Sequence, residues 1–283
     1  MDTLKKWNYA AAGIHLVATI VSLVVLNDDT NRSVQMTRLK FKDDGMSDSR
    51  VDIPVELEDD AKVDLKFFVV GFFAITSAAH FLYATDFFGR GWYSSQILGF
   101  GWNPYRWIEY SLSASLMIYL ISAVSGTKDQ VSAISAALIT PGLMINGFTN
   151  ERALHQNELH RWSENTRTVK PTIDKEIILS NLIPAWALFG VHWYIILSNY
   201  VKLSKEAKEA NKPLDSSVTF MVFSQLIFFS LFGVIQTYQV YRFFTLRKGR
   251  IEPTYMIYEK AYIILSTFTK LLLAATVAYA LRN

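Results

Sequence analysis

The stretch LSTFTKLLLAATVAYAL, residues 265–281, is apolar almost throughout and carries one lysine, Lys270, near its middle. Its length and composition fit a helix crossing a bilayer, whose core takes about 20 apolar residues. A charged amine at mid-membrane costs on the order of 2.5–3.5 kcal/mol on insertion scales. The rest of the chain has to supply a reason to keep it.

Similar runs recur along all 283 residues, 51% of which are hydrophobic and 14% aromatic. The mean hydropathy is +0.18. Windowed hydropathy predicts seven spans: 7–27, 65–88, 104–125, 130–149, 175–200, 216–243 and 255–281. In lipid each span must satisfy its own backbone groups, so helices are expected. The N-terminal run is too long for a cleaved signal and reads as the first span. No internal repeat is visible, which disfavours inverted-repeat transporters. The expected fold is an all-α membrane protein, one seven-helix bundle over residues 1–283.

Placing the N-terminus in the cytoplasm puts Lys5, Lys6, Arg90, Arg106, Arg152, Arg161, Arg167, Lys170, Lys175, Arg242, Arg247, Lys248 and Arg250 inside. The short outer segments then hold Lys128, Lys202, Lys205, Lys208, Lys212 and Arg282. This bias predicts a multi-pass protein with a cytoplasmic N-terminus and an extracellular C-terminus. The basic stretch KLSKEAKEANK (202–212) runs against it.

The one long polar insert, 28–64, is read as an extracellular loop. Within it SVQMTRLKFK (33–42) and VDIPVEL (51–57) are strand-like, and DDGMSDSR (43–50) between them has turn composition. They predict a β-hairpin whose apolar face is covered by the bundle or by a partner chain; a disordered loop is the alternative. Asn31-Arg32-Ser33 fits a glycosylation sequon.

The net charge of +3 and unclustered basic residues give no nucleic-acid motif. With no cysteine, thiol chemistry and cysteine-held metals are excluded. The histidines lack a metal-ligand spacing and no nucleophile motif is present, so neither a metal site nor an enzyme is expected.

Four ionisable residues lie inside predicted spans: His15, His80, Glu109 and Lys270. Such groups usually face the bundle interior and pair. His15 and His80 each lie roughly eight residues from the inner end of their span, a common depth of about 12 Å, so they can share one polar cavity. Each alone is also readable as a hydrogen-bonded packing residue. His155 and His160 are expected in solvent, and His192 at the outer interface. Glu109 is read as the only carboxylate well inside a span. Lys270–Glu109 is then either a structural ion pair or something sharper. Desolvation disfavours a charged amine, and a neutral amine can condense with an aldehyde. The resulting cation needs a counter-ion, which Glu109 can be. Retinal is the aldehyde held this way by seven-helix proteins.

In RWIEYSLSASLM (106–117), Arg106, Glu109, Ser113 and Met117 share one helical face. This resembles the third helix of microbial rhodopsins. The second carboxylate of proton pumps is replaced by Ser266, four residues before Lys270, and their carboxyl donor by Leu120. NPYRWIEYSLSASLM (103–117), a histidine on each of the first two spans, Ser266 before Lys270, the long first loop and an inside N-terminus together resemble the heliorhodopsins, over all seven spans.

The resemblance implies a light sensor. Lys270 would bind all-trans retinal and Glu109 would be the sole counter-ion, with Ser113 and Ser266 hydrogen-bonding nearby. His15 and His80 would line a water-containing cavity that takes up a proton. Met117 is carried over by spacing. Asn146, Trp186, Phe229 and Gln236 are placed on the pocket wall by helical position, with core packing as the alternative for the aromatics. The family is associated with homodimers, and the hairpin is a plausible contact; lipid is the other implied partner. A light-gated passive proton conductance and a retinal-free seven-helix receptor or scaffold are the rival readings.

Overall fold

In the computed structural model the described residues are 3–26, 33–41, 55–89, 91–93, 101–163, 175–212, 214–245 and 251–280. Side chains are described for these apart from 33–35, 38–41, 55–62, 155–163, 175–178, 243–245 and 251–254. The helices are α1 (Thr3–Val25), α2 (Leu65–Thr85), α3 (Pro104–Val124), α4 (Gln130–Ser163), α5 (Lys175–Glu209), α6 (Ser216–Thr245) and α7 (Ile251–Ala280). The strands β1 (Ser33–Phe41) and β2 (Val55–Asp64) lie between α1 and α2.

All seven helices are long and apolar enough to cross a membrane. Their outward faces carry large apolar side chains such as Val24, Phe67, Leu138 and Tyr194. In water such a surface would aggregate; against lipid it is the solvated face. The protein is an integral multi-pass membrane protein.

Each helix packs on its neighbours in sequence, and α7 closes the ring against α1. α3 sits innermost: 67% of its apolar window is buried, against 17% for α5 at the rim. Local chemistry sets the helix starts. Asp64 caps α2 by accepting from the Lys66 N–H at 2.9 Å. Asn103 caps α3 and Pro104 follows at its first turn, where a missing N–H costs nothing. Pro141 and Pro184 lie inside α4 and α5, which membrane helices tolerate.

α4 and α5 outrun their predicted spans furthest. α4 continues past 149 to Ser163 and α5 past 200 to Glu209. Hydropathy marks where lipid ends, not where a helix must end. The 202–209 segment is rich in Lys, Glu and Ala, all good helix formers. His155 and His160, expected in solvent, fall on α4 with side chains outside the described set.

The hairpin is present, shifted from its expected place. β1 pairs antiparallel with β2 from Ser33↔Asp64 to Phe41↔Val55. The second strand is therefore 55–64 rather than 51–57; residues 42–54 and the 31–33 sequon's first two positions lie outside the described residues. Asp60 is left unpaired where the register slips beside Met36 and Thr37. Met36 is fully buried in the core with Leu26, Leu65 and Ala133. The Thr37 N–H donates to the Lys128 carbonyl at 2.8 Å, tying β1 to the α3–α4 turn.

Because Met36 anchors the hairpin in this core, Met36→Ala should destabilise the protein by about 2–5 kcal/mol. A clear drop in melting temperature in detergent checks this; an unchanged melt would mean the hairpin is not packed on the bundle.

Candidate functional site

Lys270 is 3% exposed and held by two helices. Its Nζ donates to Glu109 Oε1 on α3 at 3.2 Å and to Ser266 Oγ, one turn back on α7, at 2.7 Å. The Tyr110 ring lies 5.2 Å from the same nitrogen. Glu109 Oε1 also accepts from Thr76 Oγ1 of α2 at 2.5 Å. Arg106, Glu109, Ser113 and Met117 are all buried, as expected for one inward face of α3.

Beside this pair lie the two histidines. Their rings stack with centroids 5.9 Å apart and planes within 8°. His15 Nε2 sits 3.3 Å from Thr267 Oγ1. His80 Nδ1 is 2.7 Å from Asn8 Oδ1. The Asn8 amide nitrogen donates to the Leu4 carbonyl and to Tyr93 Oη. Its oxygen can only accept, so Nδ1 of His80 carries the proton and Nε2 keeps a lone pair.

The chain continues outward. The Tyr93 and Gly91 N–H groups donate to Asp86, which forms an ion pair with Lys5. Partial burial would raise the Asp86 carboxyl; the Lys5 and backbone hydrogen bonds outweigh it and hold it below the usual range.

A cavity of about 110 Å³ runs from Lys270 and Ser266 to the α4–α5 wall. Its walls include Trp107, Tyr110, Met117, Trp186, Phe189, Phe229, Phe232 and Gln236. Of the expected wall residues, Met117, Trp186, Phe229 and Gln236 line it. Asn146 does not: it is half-buried, its amide donates to the Gly142 carbonyl, and Met144, Gly147 and Thr140 present α4 to the cavity instead. Two glycines let the indoles close it. A Cβ at Gly147 would lie 2.3 Å from the Trp107 ring, and one at Gly233 2.8 Å from Trp186.

Glu109 is not the only buried carboxylate. Glu151 on α4 is fully buried and Glu259 on α7 is 2% exposed. The first lay beyond the predicted end of the fourth span. Both bind Arg106: Nη2 reaches Glu151 Oε1 at 2.6 Å, and Nη1 pairs with Glu259 Oε2. Trp107 Nε1 donates to Glu151 at 2.7 Å, and Asn103 Nδ2 to Glu259 at 2.7 Å. The Arg106 guanidinium also lies over the Tyr262 ring at 4.1 Å. Arg106 thus serves a separate cluster, one turn from Glu109.

Sequence reasoning also misplaced His192 and passed over Thr76. His192 is 1% exposed and lines the cavity rather than an interface. A hydroxyl inside an apolar span usually bonds its own helix; the signal available for Thr76 was its position one turn before His80.

An amine at an apolar, aromatic-walled cavity, with a carboxylate beside it, fits a retinal aldehyde. The Heliorhodopsin family model matches residues 4–280. No curated protein matches the chain.

Arg106→Met should leave two buried carboxylates without a cation and cost roughly 3–5 kcal/mol. Adding Glu151→Gln and Glu259→Gln to that variant should restore most of the melting temperature. Equal losses in the single and triple variants would contradict the cluster.

Proposed function

We propose, from the premise that the chain belongs to the heliorhodopsin family and is a light-sensing retinal rhodopsin, that Lys270 holds all-trans retinal as a protonated Schiff base with Glu109 as its counter-ion. One observation carries this reading. The Lys270 amine meets the cavity wall with the Glu109 carboxylate 3.2 Å away, and both are buried. Bound retinal supplies the absorption of light and the change of shape that follows.

The chain's own residues do the rest. Glu109 neutralises a cation at Nζ, and Thr76 steadies the carboxylate. Ser266 accepts from Nζ and orients it, with Ser113 one turn from Glu109 on the same face. Phe229, Trp186 and Met117 exclude water from the cavity. His80 Nε2, with His15 stacked beside it, is a base positioned to hold a proton that leaves the Lys270 region. Asn8, Tyr93, Asp86 and Lys5 then connect that base to the end of α2.

A photosensor with a slow cycle suits this arrangement better than a pump. Among the described residues, α3 has no carboxylate after Glu109 and α7 none after Glu259. Leu120, at the donor position, is fully buried and apolar. The proposal extends to the assembly: one domain over 1–283, N-terminus cytoplasmic, C-terminus extracellular, 28–64 an outer loop, and the hairpin a homodimer contact. The distribution of Lys and Arg supports the orientation.

An absorption spectrum of protein expressed with all-trans retinal should show a visible band that Lys270→Ala abolishes. A band surviving in that variant, or none in the wild type, would remove Lys270 from the role. Glu109→Gln should move the band to the red, because a negative charge near the cation is lost; an unshifted maximum would remove Glu109 as counter-ion.

A further inference from the structure

His192 stands out among the buried polar groups. It is 1% exposed, lines the cavity, and neither ring nitrogen has a hydrogen-bond partner among the described residues. Thr140 is 1% exposed, lines the same cavity, and its Oγ1 is also unpartnered. An unmet buried donor or acceptor costs about 1–3 kcal/mol, so two together call for a partner.

Thr140 lines the cavity from α4 and His192 lines it from α5, two helices that pack on each other along a seam. Gly142 and Leu188 mark one level of it, a Cβ at Gly142 lying 3.6 Å from Leu188 Cδ1. Thr140 is two residues back along α4 and His192 four residues on along α5. Consecutive spans run antiparallel, so both steps go the same way, by about 3 Å and 6 Å. Trp193 stacks on the His192 imidazole with centroids 6.0 Å apart and planes within 11°, and Trp193 meets the wall residue Phe229 edge-on.

Neither α4 nor α5 packs substantially on α7, so the pair enters the cavity from helices other than the one that carries Lys270. The intervening wall is apolar, built from Met117, Phe189 and Phe229.

We infer that Thr140 and His192 form a polar subsite for an oxygen on the ring end of a polyene ligand, so that the cavity prefers a ring-hydroxylated retinoid over the plain hydrocarbon ring. A hydroxyl meets two of the three unpartnered atoms. It donates to the lone pair of one imidazole nitrogen and accepts from the Thr140 hydroxyl. This rests on the cavity being a retinoid site, and it deepens that reading by naming the ligand's chemistry.

The test uses alcohols, which form no bond with Lys270. All-trans retinol and its 3-hydroxy derivative are titrated into the full-length apoprotein, with quenching of tryptophan emission as readout. The wild type should bind the hydroxylated ligand at least about tenfold more tightly. Thr140→Val and His192→Phe should each bring the ratio close to one while retaining retinol binding, which also shows that the variants fold. A preference unchanged in both variants overturns the subsite. So does a wild type without preference, where a bridging water satisfies the pair. If neither retinoid binds the wild type, the retinoid reading of the cavity falls as well.

Discussion

A lysine amine and a glutamate carboxylate cannot be left apart in a membrane interior. Each alone in a low-dielectric medium is too costly, and together they require close, hydrogen-bonded contact. Lys270 and Glu109 meet that requirement, and much of the surrounding construction follows from it. Ser266 and Thr76 complete the hydrogen bonds of the pair. α3 has to lie at the centre of the ring so that Glu109 can face α7. The aromatic walls keep water from replacing either partner.

The same two helices carry a second link of opposite sense. α3 contributes Arg106 and Glu109, and α7 contributes Glu259 and Lys270, each helix offering one cation and one anion. Arg106 pairs with Glu259, and Glu109 with Lys270. On α7 the two residues are eleven apart, close to three turns, so both look toward α3. Glu151 adds a third helix to the Arg106 link. Charge is thereby segregated into two separate sites, and the Lys270 site has one carboxylate to itself.

Much of this was legible in the sequence, because lipid imposes a strong rule on composition. Seven spans, the inward face of α3 and the Lys270–Glu109 pairing all follow from apolar length and helical spacing. Two of the failures share a cause. Hydropathy locates the bilayer edge, and the helix ends were equated with it. Ending the fourth span at 149 hid Glu151, and ending the fifth at 200 made His192 look interfacial. β2 was displaced because VDIPVEL alternates cleanly while EDDAKVD does not; the pairing instead starts at the base, where Ser33 meets Asp64 beside the bundle. Asn146 and Thr140 lie on adjoining faces of α4, and only packing against α5 decides which one sees the cavity. The contacts of Thr76 and Asn8 are tertiary and leave no trace in local pattern.

Asp64 is both the last residue of β2 and the cap of α2, so strand and helix join without a hinge. The hairpin is mechanically an outrigger of α2, the helix that carries Thr76 and His80. Ten residues of strand extend roughly 33 Å. Its other fastenings are Met36 in the core and the Thr37–Lys128 hydrogen bond at the α3–α4 turn. The hairpin is thus a bracket between α2 and the α3–α4 corner. An axial slip of α2 past α3 would load that corner in shear.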